Sequence, residues 1–396
     1  MKRLLFPTLL ALAMAGAQQS RGGDTPEADL YKKWKNGPTA DPTFFPIAVW
    51  LQSPANAERY KAAGFNTYVG LWDGPTEEQL ATLKKAGIRV FCEQNAVALK
   101  HLDDPVIAGW MHGDEPDNAQ ELPGGKGYGP PVLPAKIVAE YQQIQKADPT
   151  RPVMLNLGQG VAWDGWYGRG TRSHHPEDYP LYMKGSDIVS FDIYPVVHDN
   201  AEVKGKLEFV ANGVDRLVKW SNGSQIVWNC IECTHIGNAQ LKATPQQVRF
   251  EVWSSIIHGS RGLIYFVHQF KPVFREAALF DDPNMLKAVT TLNQEITSLA
   301  PVINSPSSND AITATALNPN GEAQVDIMTR NFADVEYLFV AVGSGAEDSV
   351  RISGLPKGRK VEVIGENRML TVDGGGSFED KFAEADIHLY RIPSKN

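Results

Sequence analysis

Cysteine is scarce in this chain: three residues in 396, at positions 92, 230 and 233. So low and odd a count excludes a disulfide framework and leaves at least one free thiol. Cys230-x-x-Cys233 has the spacing of half a zinc site, but no second ligand pair follows, so both read as small core residues. His174 and His175 are adjacent and point apart on extended backbone, which suits a surface loop better than a metal. Nothing calls for a metal or another cofactor. Basic runs are also missing and the formal charge is −8, which makes nucleic acid and anionic membranes poor partners and a neutral ligand a better one. No segment approaches the roughly 20 consecutive apolar residues of a membrane-spanning helix. No glycine-rich phosphate fingerprint follows the first strand, which argues against an open nucleotide-binding sheet.

What is present begins with Met1-Lys2-Arg3, an apolar stretch, and Ala15-Gly16-Ala17, the pattern of a secretory signal peptide with its cleavage site. A soluble secreted or periplasmic protein is expected. Removing residues 1–17 leaves 396 − 17 = 379 residues and, without Lys2 and Arg3, a charge of −8 − 2 = −10. That length suits a large domain plus a smaller one. Residues 18–40 read as a linker, 41–300 as the large domain and 301–396 as the small one.

The large domain alternates strand and helix. Strands are expected at 44–51, 65–71, 88–92, 106–113, 153–157, 187–193, 225–231 and 262–267. Ser53-Pro54, Thr76-x-x-Gln79 and Thr244-Pro245-x-Gln247 are helix-start signals. Ala63-Gly64 and Ala86-Gly87 each stop a helix before a strand, with glycine where a left-handed residue is needed. Eight strands with intervening helices over about 260 residues have the size and order of an α/β (β/α)8 TIM barrel. After Pro301, short alternating segments separated by Asn, Gly, Pro and Asp turns indicate an antiparallel, sandwich-like β domain.

In such a barrel, reacting groups come from the carboxyl ends of strands. Glu115 ends the fourth, in Gly109-Trp110-Met111-His112-Gly113-Asp114-Glu115-Pro116, and Glu232 ends the seventh, in Trp228-Asn229-Cys230-Ile231-Glu232. Two carboxyl groups across a cleft are what glycosidic cleavage requires, one to protonate the leaving oxygen and one to attack the anomeric carbon or activate water. The Asp-Glu-Pro after a Gly-Trp strand, with a lone Glu closing a later one, resembles the clan A glycoside hydrolases. That resemblance implies Glu115 as acid/base, Glu232 as nucleophile, Asp114 bonding the sugar 2-hydroxyl, and Tyr194 donating to Glu232. It also implies a β-linked oligo- or polysaccharide cleaved with retention. The chain departs from the clan at strand two, which has no Arg between Asn66 and Trp72, at Cys92-Glu93, and at His268-Gln269-Phe270. A rival reading is a carbohydrate-binding barrel without catalysis. Trp50, Trp72, Trp110, Trp166, His235 and His268, at or just beyond strand ends, are further candidates to meet sugar, with Trp166 on the aromatic loop 163–168.

Overall fold

The computed structural model describes residues 30–308, 311–317, 324–343 and 348–393. The expected signal peptide lies outside them. Nine short strands form one parallel sheet: β1 Ile47–Trp50, β2 Thr67–Val69, β3 Arg89–Cys92, β4 Ile107–Met111, β5 Val153–Leu157, β6 Ile188–Phe191, β7 Ile226–Val227, β8 Asn229–Glu232 and β9 Leu263–Phe266. Their order is β7-β6-β5-β4-β3-β2-β1-β9-β8. β7 and β8 are two halves of a single strand interrupted at Trp228. One half pairs with β6 and the other with β9, so the sheet closes on itself as an eight-stranded barrel.

The strands are buried on both faces, which is why they read as continuous apolar runs. Ala48, Val69, Ala108, Met154, Ile188 and Ile264 fill the interior, while Val49, Ile107, Ile231 and Tyr265 face the helices. Among the described residues seven α-helices surround them: α1 Ala57–Ala62, α2 Glu77–Ala86, α3 Pro134–Ala147, α4 Tyr179–Met183, α5 Glu208–Ser221, α6 Pro245–His258 and α7 Pro283–Ile303. Both expected capping boxes form, on Thr76 and on Thr244. The third crossover has only a 3-10 turn, Ala98–Lys100. The described end of the expected linker is not loose: Tyr31 and Trp34 are buried, and the Tyr31 hydroxyl accepts from Trp228 Nε1 at 2.8 Å. Aromatic side chains at 31 and 34 thus join the interior cluster instead of spacing a tail from it.

The C-terminal domain has strands β10 Thr313–Ala316, β11 Val325–Phe332, β12 Val335–Val342, β13 Asp348–Ser353, β14 Lys360–Val363, β15 Arg368–Thr371, β16 Ser377–Phe382 and β17 Asp386–Pro393. They form a three-stranded sheet, β10-β13-β16, and a five-stranded one, β11-β12-β17-β14-β15, antiparallel throughout. Leu338, Val340, Val350, Ile352, Val361 and Phe378 share one core cluster. The five-stranded sheet also packs on α6, where Phe339 stacks on Trp253 with centroids 5.3 Å apart. Among the described residues no helix is long and apolar enough to cross a membrane.

Candidate active site

The carboxyl end of the barrel gathers acidic side chains from two strands. Past β4, the chain turns through Glu115 with φ 42, a left-handed conformation that an ordinary side chain rarely adopts and that costs on the order of 1–3 kcal/mol. The Glu115 carbonyl accepts from Asn118 N at 3.0 Å and Gln120 Nε2 at 3.3 Å, which fixes the turn. Asp117, without accessible surface, accepts from Gly158 N at 2.9 Å and from the Tyr179 hydroxyl at 3.1 Å. It thereby ties the β4 loop to the end of β5.

Inside the turn, Asp114 Oδ1 accepts from Asn156 Nδ2 at 2.9 Å, and Asn156 Oδ1 accepts from Ser190 Oγ at 2.8 Å. Asp192, just beyond β6, completes the group. Burial first, then the negative charges of Asp192 and Asp114, push Glu115 well above the usual carboxylate range. Burial also raises Asp192, to about 7, while hydrogen bonds from Glu115 and Tyr194 pull it the other way. Asp114, at the exposed mouth, is raised to about 6 by its crowded surroundings and by Asp117. The two carboxyl groups are hydrogen-bonded to each other, and Glu115, the more strongly raised, is the one that favours the proton. Asp192 Oδ1 is buried with no protein donor.

Glu232 lies elsewhere. It has no accessible surface, and its oxygens accept from Val196 N at 2.7 Å and Val197 N at 3.1 Å. The carboxyl group beside it is Glu251 of α6, raised well above its ordinary value by burial and then by Glu232. So enclosed, the Glu232 carboxyl group braces the loop after β6 against α6. Tyr194 likewise faces Asp192 and not Glu232.

The aromatic candidates divide. Trp110 is fully buried, on the outer side of β4: Nε1 donates to Asp148 Oδ2 at 3.1 Å and the Arg151 guanidinium lies over its ring. It is a strut beneath α3 and is removed from the sugar-binding set. The β3–β4 pairing shifts register beside it, between Val90 and Phe91. Trp50 is buried in the interior cluster that also holds Tyr194. His235 is half-buried and its Nδ1 meets the Leu241 carbonyl at 2.8 Å, within its own loop. Trp166 is half-buried, donating from Nε1 to Asn118 Oδ1 at 2.8 Å and packing on Trp163 and Tyr167. Trp72 is 43% exposed, held by a bond to Glu276 Oε1 at 3.0 Å, with its edge against the buried ring of His268. All three cysteines are free and buried.

No family model matches the chain, and no curated protein matches it in sequence. Solved structures do. An alpha-amylase from Geobacillus thermoleovorans, complexed with acarbose, superposes with a TM-score of 0.53 at 10% identity over 89% of this chain and 99% of its own. An Anoxybacillus alpha-amylase, described as representing a glycosyl hydrolase subclass, gives 0.55 at 10% identity over 90% and 99%. A Bacteroides fragilis protein described as a candidate alpha-galactosidase gives 0.51 at 9% identity over 89% and 80%. The chain shares its fold with these proteins. The likeness spans both domains, so the TIM barrel with its C-terminal β domain is one known architecture. In that TIM barrel the acidic cluster occupies the end where barrel enzymes carry their chemistry.

The residues that sequence reasoning underrated are Asp192 and Asp117. Asp192 ends a strand in Phe191-Asp192-Ile193-Tyr194, the same signal that singled out Glu232.

Proposed function

We propose that the protein is an exported glycoside hydrolase in which Glu115 is the general acid and Asp192 the second carboxylate. The observation that carries this reading is the pairing of the Glu115 and Asp192 carboxyl groups, within hydrogen-bond reach of each other at the carboxyl ends of β4 and β6. An acid must keep its proton near neutral pH while its partner stays ionised, and burial among like charges divides the pair in that sense. Entry of a glycosidic oxygen exchanges the Glu115–Asp192 hydrogen bond for one from Glu115 to the leaving group. Asp192, kept oriented by Tyr194, then faces the anomeric carbon. Asp114, aligned by Asn156, is free to accept a sugar hydroxyl. Retention needs the carboxyl groups about 5–5.5 Å apart, and inversion about 6.5–9.5 Å. Hydrogen-bonded to each other, the two groups stand closer than either spacing, so a sugar must part them and the product anomer decides between the two outcomes. The fold neighbours carry names denoting α-linked substrates, whereas the clan resemblance implied β-linked ones, so the substrate panel must include both.

The test is turnover of aryl α- and β-glycosides and of soluble glucans, galactans and mannans by the wild type, Glu115→Gln and Asp192→Asn, with product anomers read by NMR. Each variant should lose at least about 10²–10⁴-fold in kcat. Glu115→Ala should recover on activated aryl glycosides when azide is added. Wild-type binding of a glycan without any turnover would instead favour the carbohydrate-binding barrel. Export is checked by sequencing the N-terminus of the secreted protein, which should begin at Gln18.

A further inference from the structure

Large apolar side chains are exposed along one edge of the same barrel mouth. Phe270, Val273 and Phe274 are 50%, 61% and 52% exposed, and Trp72 stands beside them. Single exposed apolar residues are ordinary, but a contiguous patch marks a binding surface. This one is built on a fixed loop. Gln269 and Arg275 exchange both backbone hydrogen bonds, at 2.9 and 2.7 Å, and Phe270 N donates to the Ile236 carbonyl at 2.7 Å.

The patch is continuous with the acidic cluster. Tyr194, the phenol against Asp192, packs on Phe266 with centroids 5.3 Å apart; Phe266 lies 6.2 Å from Phe270, and Phe270 lies 5.7 Å from Phe274. The His268 ring is within 14° and 21° of the Phe270 and Phe274 planes, beneath both. The row runs from buried Tyr194 through half-buried Phe266 and emerges at Phe270 and Phe274, whose exposed faces are open to the C–H faces of pyranose units. A protein partner would have no reason to follow the row inward to Asp192.

We infer that Phe270 and Phe274 form an outlying sugar-binding platform, fed by the row from Tyr194, so that the protein takes a glycan chain of several units and not a lone glycoside. This rests on the hydrolase reading above and specifies its substrate as an extended chain.

The experiment is native affinity electrophoresis in gels containing soluble starch, mixed-linkage β-glucan, galactan or glucomannan, run with Glu115→Gln and with Glu115→Gln carrying Phe270→Ala and Phe274→Ala. At least one polysaccharide should retard the first protein, and loss of the two rings should weaken that retention about tenfold, a modest aromatic contribution at each ring. In the Glu115 background of the wild type, the same two substitutions should raise KM for the long chain while leaving kcat/KM for a short aryl glycoside within about twofold of the wild type. Equal retention with and without the rings overturns the platform even where hydrolysis stands. Ring-dependent retention without any hydrolysis supports the platform and removes the hydrolase reading. Concentration-dependent self-association abolished by the two substitutions, with no retention by any polysaccharide, would make the patch a dimer contact and overturn the inference.

Discussion

Gly158 leaves no room beside Glu115. A Cβ at that position would lie 2.9 Å from Glu115 Oε1 and 2.7 Å from the Asn118 side-chain nitrogen. The glycine is therefore a spatial requirement of the acid, not of the backbone, because its φ of −82 suits any residue.

Gly158→Ala tests that requirement. The backbone tolerates alanine, so the protein should fold, with a loss of about 1–3 kcal/mol from local overpacking. Displacing Glu115 by a fraction of an ångström should lower kcat by up to about 10²-fold. Thermal melts and steady-state kinetics on one preparation separate the two effects. An unchanged kcat would show that the carboxyl position at Gly158 does not matter to the chemistry.

Glu232 should behave as a brace. Glu232→Gln retains an oxygen to accept from Val196 or Val197, and kcat should stay within about tenfold of the wild type, whereas loss of a nucleophile costs several orders of magnitude. Glu232→Ala leaves two buried N–H groups without acceptors and should cost about 1–3 kcal/mol for each. A Glu232→Gln enzyme that folds normally but is inactive would restore this residue to the reaction.

The same pair has a pH signature. Burial raises Glu232 from 4.5 to about 7 in the folded protein, so the folded state binds the extra proton and stability falls as pH rises through that interval. The melting temperature of the wild type relative to Glu232→Gln should decline from about pH 4.5 to about pH 7 and level off above it. A difference that does not vary with pH would refute the buried-proton description.

His258 carries the opposite assignment of charge. Burial alone would lower it, but Asp215 at 3.1 Å and Asp326 at 3.3 Å outweigh that and raise it to about 9. Its stabilising contribution is complete below its ordinary value of 6.5 and is lost as pH rises through about 9. His258→Gln should therefore destabilise the protein near pH 6 and match the wild type near pH 10, as read by denaturant titration at both pH values.

Trp110→Phe should separate packing from sugar contact. It removes the bond to Asp148 and should cost about 0.5–1.5 kcal/mol, while the KM for a glycan chain stays as it was. A raised KM at normal stability would return Trp110 to the cleft.

The barrel was legible because its strand and helix signals are local: capping boxes at Thr76 and Thr244, glycine stops at 64 and 87, and apolar runs between them. Strand-end carboxyl groups were legible at Glu115 and Glu232, and Asp192 carries the same signal after an apolar strand. Which of them faces the cleft was not. Glu232 is turned toward Glu251, nineteen positions later on a helix whose packing face no local pattern reveals, and the break at Trp228 separates its strand into two halves. Nearness to a strand end, the ground on which Trp110 was a candidate, does not say which face its ring takes, and the ring lies against Asp148 and Arg151.

Helix α6 has a bearing on how freely the two domains could be exchanged. One of its residues, Glu251, completes the support of Glu232, and another, Trp253, is covered by Phe339 of the neighbouring sheet. A barrel cut near residue 304 would present a bare indole, and a foreign β domain grafted there would have to supply both a flat ring for Trp253 and a carboxylate for His258. Modularity in the drawn topology is thus not modularity in the material: the C-terminal sheet is the outer wall of a helix that the barrel also uses, and the two should melt in a single transition.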